Sequence, residues 1–352
     1  MKKIISMILA LAMVLALVGC AGTTVVVNNY NYYGTDATET ATTPVETEAT
    51  EPVAAEGAIR TGLAIVTGLG AVDASAEEEG NAEFTITLAA IMVDENDVIL
   101  DCEIDAIGHK FTFDATGAIT SDITAEVLTK NEMGDDYGMV AWGGAIAEWY
   151  AQIDAFENYC IGKSISDIQN GALTESGYAA DADLATSATI NLFDYVSALD
   201  AAYVNAQVLG AEAGDELVLS CTTSQADSTQ GNAQLNVDAV ALTVNGDGVI
   251  TSCQLDSLQG KVAIDENGVV GDTNVNTKNA LGFDYGMVAW AGAKYEWFEQ
   301  AANFASYITG KTAAEVEGIA IDETTKPAEA DLATSVTISI YGFKTLIAKA
   351  LG

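Results

Sequence analysis

From about residue 58 onwards, the chain alternates short β-prone apolar stretches with turn-forming residues, which is typical of β-hairpins. In the first half, predicted strands at 83–93 and 98–107 flank a turn at 94–97, and a third strand follows at 110–113. The second half repeats the pattern, with predicted strands at 234–244, 249–258 and 261–264. Each half is therefore expected to begin with an antiparallel sheet.

An apolar stripe with helical spacing follows each group of strands. In the first half it predicts a helix over 145–160 and consists of Ile146, Trp149, Ile153, Phe156 and Cys160. In the second half it consists of Trp297, Ala301, Phe304 and Ile308. A short strand, at 188–190 and at 336–338, and a closing helix are then predicted in each half. Strands followed by helices indicate an α+β fold, with helices covering an antiparallel sheet.

The two halves share long identical segments at an offset of 148 residues. The offset relates Asp136-Tyr137-Gly138-Met139-Val140-Ala141-Trp142 to 284–290, and Asp183-Leu184-Ala185-Thr186-Ser187 to 331–335. A period of this length indicates duplicated domains, because the units of a solenoid are only about 20–50 residues long. We predict two tandem repeats, at 59–203 and 204–352.

The N-terminus has the features of an export signal. Two lysines precede an apolar stretch from Ile4 to Val18 that is too short to be read as a membrane-spanning helix. The ending Leu17-Val18-Gly19-Cys20 resembles the lipobox of bacterial lipoproteins, which implies removal of residues 1–19 and a lipid on Cys20. The alternative is an ordinary signal peptide with a chance cysteine. The resemblance places the protein on the extracellular face of the cell membrane, anchored by lipid.

Residues 20–58 are rich in Thr, Glu and Ala, which predicts a disordered tether. Val25-Val26-Val27 and the Asn/Tyr run at 28–33 are β-prone, but we assign them to the tether, with a contact to the cell wall as the alternative.

The charge of the chain limits its partners. It has 13 basic and 51 acidic residues, a formal net charge of −38. Such a charge repels phosphate backbones, which argues strongly against nucleic-acid binding. Hydrophobic residues nevertheless make up 49% of the chain, which indicates a folded acidic protein.

The sequence gives little support for catalysis or for a metal site. His109 is the single histidine and has no counterpart in the second half, so histidine-based catalysis cannot be a duplicated function. The cysteines lack metal-ligand spacing. Cys102 and Cys253 occupy equivalent positions, and we expect buried free thiols rather than a disulfide between them. A secreted hydrolase is the weakest reading, because no nucleophile and base recur together.

The end of each repeat resembles a known signature. Asp331-Leu332-Ala333-Thr334-Ser335-Val336-Thr337 and its counterpart 183–189 resemble the Asp-x-x-Ser-Gly-Ala-Thr motif of the FMN-binding domain family. That family includes flavinylated lipoproteins of Gram-positive bacteria. The resemblance implies that a flavin transferase links FMN to Thr189 and Thr337. The glycine of the motif is replaced by Ser187 and Ser335, which weakens close backbone approach.

Other repeated residues are candidates for contact with a flavin. Tyr137 and Trp142, with Tyr285 and Trp290, have rings that can stack on an isoalloxazine, although such residues are more often core. Lysines are scarce yet recur at Lys163 and Lys311, where they would either hold a phosphate or neutralise nearby carboxylates.

Two functions follow as hypotheses. The first is a non-enzymatic electron carrier, a surface lipoprotein whose two FMN-binding-like domains exchange electrons with a redox partner. The second is a binding or structural lipoprotein of the same fold without flavin.

Overall fold

The computed structural model describes residues 25–28 and 57–352, and the predicted α+β fold is confirmed. Two four-stranded antiparallel sheets, ordered β1-β2-β3-β4 and β5-β6-β7-β8, each carry helices on one face. The strands are β1 (Val25–Asn28), β2 (Arg60–Val72), β3 (Gly80–Val93), β4 (Ile99–Phe113), β5 (Glu216–Ser224), β6 (Asn232–Val244), β7 (Ile250–Ile264) and β8 (Val270–Asn274). The signal segment, Cys20 and most of the predicted tether lie outside the described residues.

The predicted hairpins form, but three details of the sheets differ from expectation. The strands predicted at 98–107 and 110–113 are one continuous strand, β4, because β3 pairs with it without a break from Gly80↔Phe113 to Met92↔Asp101. The same holds for β7 in the second half. Strands β2, β5 and β8 were not predicted. The glycines of β2 and the polar residues of β5 obscure their alternation.

The assignment of Val25–Val27 to the tether was wrong. Residues 25–28 form β1, which pairs antiparallel with Gly68–Ala71 of β2. The physical reason is that β-branched residues favour extended backbone and this end of β2 offers an edge to pair with.

The helices are α1 (Lys130–Met133), α2 (Met139–Gly143), α3 (Trp149–Cys160), α4 (Ile165–Gly171), α5 (Phe193–Val204), α6 (Lys278–Leu281), α7 (Met287–Ala291), α8 (Trp297–Ile308), α9 (Ala313–Glu317), α10 (Ala330–Ala333) and α11 (Tyr341–Leu351). The helix predicted at 145–160 thus begins at Trp149, because Gly144, which follows the end of α2, lies in the left-handed region with φ of 64° and interrupts the helix. Ile146 lies before the helix and is exposed. Among the described residues, none of the helices has the length and apolar character to span a membrane.

The short strands predicted at 188–190 and 336–338 are absent. Both segments are irregular loops that lead into α5 and α11. The backbone amides of Thr189 and Thr337 donate to glutamine side chains instead of to a neighbouring strand, so no ladder forms.

The two sheets pack face to face, and the helices cover their outer faces. The shared inner core includes Leu63, Phe84 and Leu88 from the first sheet and Leu235 and Val237 from the second. Separate outer cores lie beneath the helices of each half. Cys102, Cys160, Cys221 and Cys253 are free and buried, as predicted.

Two equivalent contacts join the edges of the sheets. In the first, β2 lies against β7, with α5 and α8 above them. In the second, β5 lies against β4, with α11 and α3 above them. The two contacts are related by exchange of the halves. We call the first the open interface and the second the filled interface.

Candidate functional site

The two threonines of the predicted signature make the same pair of hydrogen bonds. Thr189 donates its backbone N–H and its hydroxyl to Oε1 of Gln152, at 2.8 and 3.1 Å. Thr337 makes the same two bonds to Gln300, at 2.7 and 3.1 Å. Both loops are therefore fixed to the first turn of a helix. Thr189 and Ser187 are exposed, and Thr337 and Ser335 are half-buried.

The two glutamines were missed by sequence reasoning. Gln152 and Gln300 are fully buried, and their Nε2 groups donate to Ala147 and Tyr295 carbonyls at 2.8 and 2.9 Å. A glutamine that recurs at the 148-residue offset, next to the apolar stripe of a helix, was the signal available. A buried amide must be hydrogen-bonded, and the threonine loop supplies the partner.

A buried glutamate also recurs and was likewise missed. Glu148 accepts hydrogen bonds from the backbone amides of Met139 and Val140, at 2.8 and 2.9 Å. Glu296 accepts from the amides of Met287 and Val288, at 2.7 and 2.9 Å. Each carboxylate satisfies the free amides at the start of α2 or α7. It thereby holds that short helix against the start of α3 or α8.

The tryptophans of the repeated segment point outward. The side chains of Trp142 and Trp290 are 90% and 89% exposed. Each indole lies over the glycine that precedes its helix, where a Cβ atom would collide with the ring. Gly138 and Gly286 also have φ of 77° and 81°, a conformation that glycine adopts without strain. The structure therefore places both indoles at the surface in a defined position.

The tyrosines of the same segment face a lysine. Nζ of Lys130 lies 5.1 Å from the ring centroid of Tyr137 and 5.2 Å from that of the buried Trp149. Lys278 has the same relation to Tyr285 and Trp297, at 5.5 and 4.8 Å. Burial lowers the pKa of Lys278. Cation–π contact with a lysine thus occupies one face of each tyrosine.

Lys163 and Lys311 are not brought to the threonines. Nζ of Lys163 lies 3.7 Å from the ring centroid of Tyr159, and Nζ of Lys311 lies 4.6 Å from that of Tyr307. Tyr159 follows Gln152 by seven residues of α3, which is about 10 Å along the helix axis. These lysines therefore lie near the other end of the helix from the threonine loop.

In the second half, a different lysine reaches the threonine loop. Nζ of Lys294 donates to the carbonyl of Thr334 at 3.0 Å. The first half has Ile146 at the equivalent position. The surroundings of Thr337 and Thr189 therefore differ by one positive charge.

Chemically, the repeated polar groups are engaged with one another. Gln152 binds the threonine loop, Glu148 binds the α2 amides and Lys130 lies between two rings, and the second half repeats all three arrangements. Among the described residues, no group of three or more side chains is placed to hold a metal ion. The indoles of Trp142 and Trp290, by contrast, are largely exposed to an outside partner.

Comparison of the chain with protein-family models, with curated proteins and with solved structures gives no significant match.

Proposed function

We propose that this protein is a non-catalytic, lipid-anchored binding protein that presents two copies of one aromatic contact surface. The observation that carries this proposal is the paired exposure of Trp142 and Trp290, at 90% and 89%. An exposed indole is costly in water, and its position in the two halves is the same. Each contact surface consists of the indole and the neighbouring valine, Val140 or Val288, which is also exposed.

The contact surfaces are preorganised. The glutamate bonds at the start of α2 and α7 and the packing of each indole on a glycine fix the segment before any partner arrives. Binding therefore costs less conformational entropy at these side chains than it would for a mobile loop.

Charge selects the partner. The exposed carboxylates of Asp135 and Asp136 precede the first contact surface, and that of Asp284 precedes the second, in a chain of net charge −38. An indole face attracts a guanidinium group through cation–π interaction, and nearby carboxylates add charge-assisted hydrogen bonds. The partner that fits is a protein with exposed arginines, which the net charge also draws in by electrostatic steering.

The test uses a synthetic arginine–glycine peptide and titration calorimetry. We expect two equivalents to bind to the full chain, one equivalent to bind to Trp142→Ala or Trp290→Ala, and none to bind to the double variant above a salt-sensitive background. Tyr341→Ala removes a ring that is 60% exposed outside both contact surfaces and serves as the control. Unchanged binding by the double variant would refute the proposal.

The membrane anchor rests on the Leu17-Val18-Gly19-Cys20 sequence. Replacement of Cys20 by Ala is expected to move the protein from the membrane fraction to the medium. Retention of this variant in the membrane fraction would contradict the anchor.

A flavin electron carrier is the second candidate, and one observation favours it. Thr189 and Thr337 lie in loops that are held by the same two hydrogen bonds in each half, and the exposed Thr189 and half-buried Thr337 would be the attachment points for a flavin transferase. Because Lys163 and Lys311 lie far from these loops, other groups would have to neutralise the phosphate of a linked FMN.

Intact mass spectrometry after co-expression with a flavin transferase separates the two candidates. An FMN increment that is lost in the Thr189→Ala, Thr337→Ala double variant would support the electron carrier. An unmodified mass would rule out the electron carrier and leave the binding function as the remaining candidate, since the peptide titration does not depend on flavin.

A further inference from the structure

A large cavity lies in the open interface. Its volume is about 750 Å³, and it is bounded by α5 on one side and α8 on the other, with β2 and β7 as its floor. This volume is in the range of small-molecule sites, which is about 300–1,000 Å³. Thr189, Thr337, Tyr137, Tyr285 and the exposed tryptophans do not contribute to its lining.

The filled interface shows what occupies the equivalent space. There, Nζ of Lys349 on α11 donates to the carbonyl of Cys221 on β5 at 2.7 Å and forms an ion pair with Glu132. Lys349 thus inserts an alkyl chain and an ammonium group between the helix and the edge of the sheet.

Small residues replace this ion pair in the open interface. At the 148-residue offset, Lys349 corresponds to Ala201 and Glu132 corresponds to Ala280, and both alanines line the cavity. The helix on the opposite side shows the same trend, since Asp154 and Glu157 of α3 correspond to Ala302 and Ala305 of α8. The cavity is therefore the space that charged side chains fill in the other interface.

The open interface retains a backbone carbonyl equivalent to the one that accepts a hydrogen bond from the Lys349 ammonium group in the filled interface. Cys221 corresponds to Ile65 of β2, which also lines the cavity. The N–H and C=O of Leu63 point to this edge of β2. Ile65 is two residues further along the strand, so its backbone groups point to the same edge.

A carboxylate has also been gained. Asp200 lines the cavity one residue before Ala201, and its counterpart in α11 is Ala348. One carboxylate oxygen of Asp200, Oδ1, accepts a hydrogen bond from Nε2 of Gln169 on α4, and a carboxylate has further lone pairs for a second donor. A second carboxylate in the lining, that of Asp256, is engaged by the amides of Ser257 and Asn279. Of the described residues that line the cavity, none is a lysine or an arginine. The ammonium group of Lys278 interacts electrostatically with Asp256 and is held between the rings of Tyr285 and Trp297.

We propose that the cavity binds an organic primary amine with an apolar body, in the manner of the Lys349 side chain in the filled interface. The ammonium group pairs with the Asp200 carboxylate and donates to the carbonyl edge of β2. The apolar body lies against Phe298, Ala302 and Leu255. The site is separate from the two aromatic contact surfaces and does not depend on them.

The first test compares three ligands with the same six-carbon chain. Calorimetric titration of the full chain with n-hexylammonium is expected to show one site. Its affinity should exceed that for hexanol by about tenfold or more, because a hydrogen bond to a charged group contributes this much. Hexanoate is expected not to bind. Equal affinity for hexylammonium and hexanol would show a purely apolar cavity and overturn the proposal.

The second test uses matched variants of the two interfaces. Asp200→Asn is expected to weaken hexylammonium binding about tenfold, whereas Asp154→Asn on α3 leaves it unchanged. Ala201→Lys supplies an internal ammonium group and is expected to abolish binding. Lys349→Ala opens the filled interface and is expected to add a second equivalent. Thermal unfolding shows whether each variant is folded, and undiminished binding by a folded Ala201→Lys variant would refute the proposal.

Discussion

The open and filled interfaces have the same architecture, yet they differ in what lies between the helices and the sheet edges. In the open interface, Leu63 donates its amide to Gln254 at 2.8 Å. In the filled interface, the amide of Leu219 donates to Glu103, which is the counterpart of Gln254. This hydrogen bond from a backbone amide to a side chain is thus conserved, while a few other side chains decide whether the space holds charge or is left open. Duplication fixed the scaffold, and later substitutions gave the two contacts different properties.

The filled interface contains carboxyl groups that resist ionisation. Burial raises the pKa of Glu157 to about 8 and that of Glu103 to about 7, and the nearby Asp101 adds to both shifts. The open interface has the neutral Gln254 and Ala305 at these positions. Burial also raises the pKa of Asp256 in the open interface, to about 6, so the two interfaces should lose stability over different pH ranges, and the filled interface over the more alkaline one.

The largest expected effect tests whether the halves unfold together. Phe84 of β3 is fully buried between the sheets and packs against Gly260 of β7. Phe84→Ala should lower the free energy of unfolding by about 3–5 kcal/mol, because it leaves a cavity in the shared core. Chemical denaturation should show one transition for the whole chain.

Phe156→Ala is the matched variant, since Phe156 is equally buried but lies under the helices of the first half alone. It should have a similar cost and still give one transition. Two separate transitions in either variant would show that the shared core does not couple the halves.

An intermediate effect is expected from Glu157→Gln. The folded-state pKa of about 8 exceeds the ordinary value of 4.5, so the folded chain keeps a proton that the unfolded chain releases. The contribution of Glu157 to the free energy of unfolding is therefore fully present below about pH 4.5 and is lost as the pH rises towards 8. The variant should exceed the parent by about 1–2 kcal/mol at about pH 9, allowing for solvent screening, and match it at about pH 4.

Gln retains an acceptor for the Ile104 amide, which donates to Glu157 at 2.6 Å, so packing is preserved. Urea denaturation at several pH values provides the measurement. Glu95→Gln makes the same chemical change in an exposed turn and is the control. An equally steep decline in Glu157→Gln would contradict the assignment.

The smallest effect concerns the ion pair that distinguishes the interfaces. Lys349→Ala should lower the free energy of unfolding by about 0.5–1 kcal/mol, since the Lys349 side chain is 41% exposed. Lys110→Ala removes a more exposed pair with Glu83, separated by 3.6 Å, and should cost less. A cost for Lys110→Ala that equals or exceeds that for Lys349→Ala would show that location in the interface adds nothing.

Much of the fold could be predicted from the local pattern of apolar and polar residues. The β3–β4 and β6–β7 hairpins follow from alternating apolar residues around polar turns, and α3 and α8 follow from their apolar stripes. Strand β2 was not predicted because Gly62, Gly68 and Gly70 interrupt its alternation of apolar and polar residues. The threonine loops were taken for strands because β-branched residues favour extended backbone, whereas a buried glutamine binds their amides.

The candidate site was only partly predictable, because the exposure of its residues depends on contacts that the local pattern does not show. The repeat marked Trp142 and Trp290 as residues of interest, but identity between halves does not separate core from surface. Their exposure depends on how Glu148 and Glu296 hold the short helices in place. Lys163 and Lys311 recur as well, yet they lie at the far end of their helices from the threonines.

The sequence by itself determined the duplication, the α+β class and the expectation of buried free thiols, because these depend on composition and on periodicity along the chain. Only the tertiary structure decided which edges of the sheets meet, and it thereby created one cavity and one cluster of carboxyl groups from equivalent positions. The physical reason is that the free energy of a buried charge or an open space depends on the neighbours brought to it by residues more than a hundred positions away.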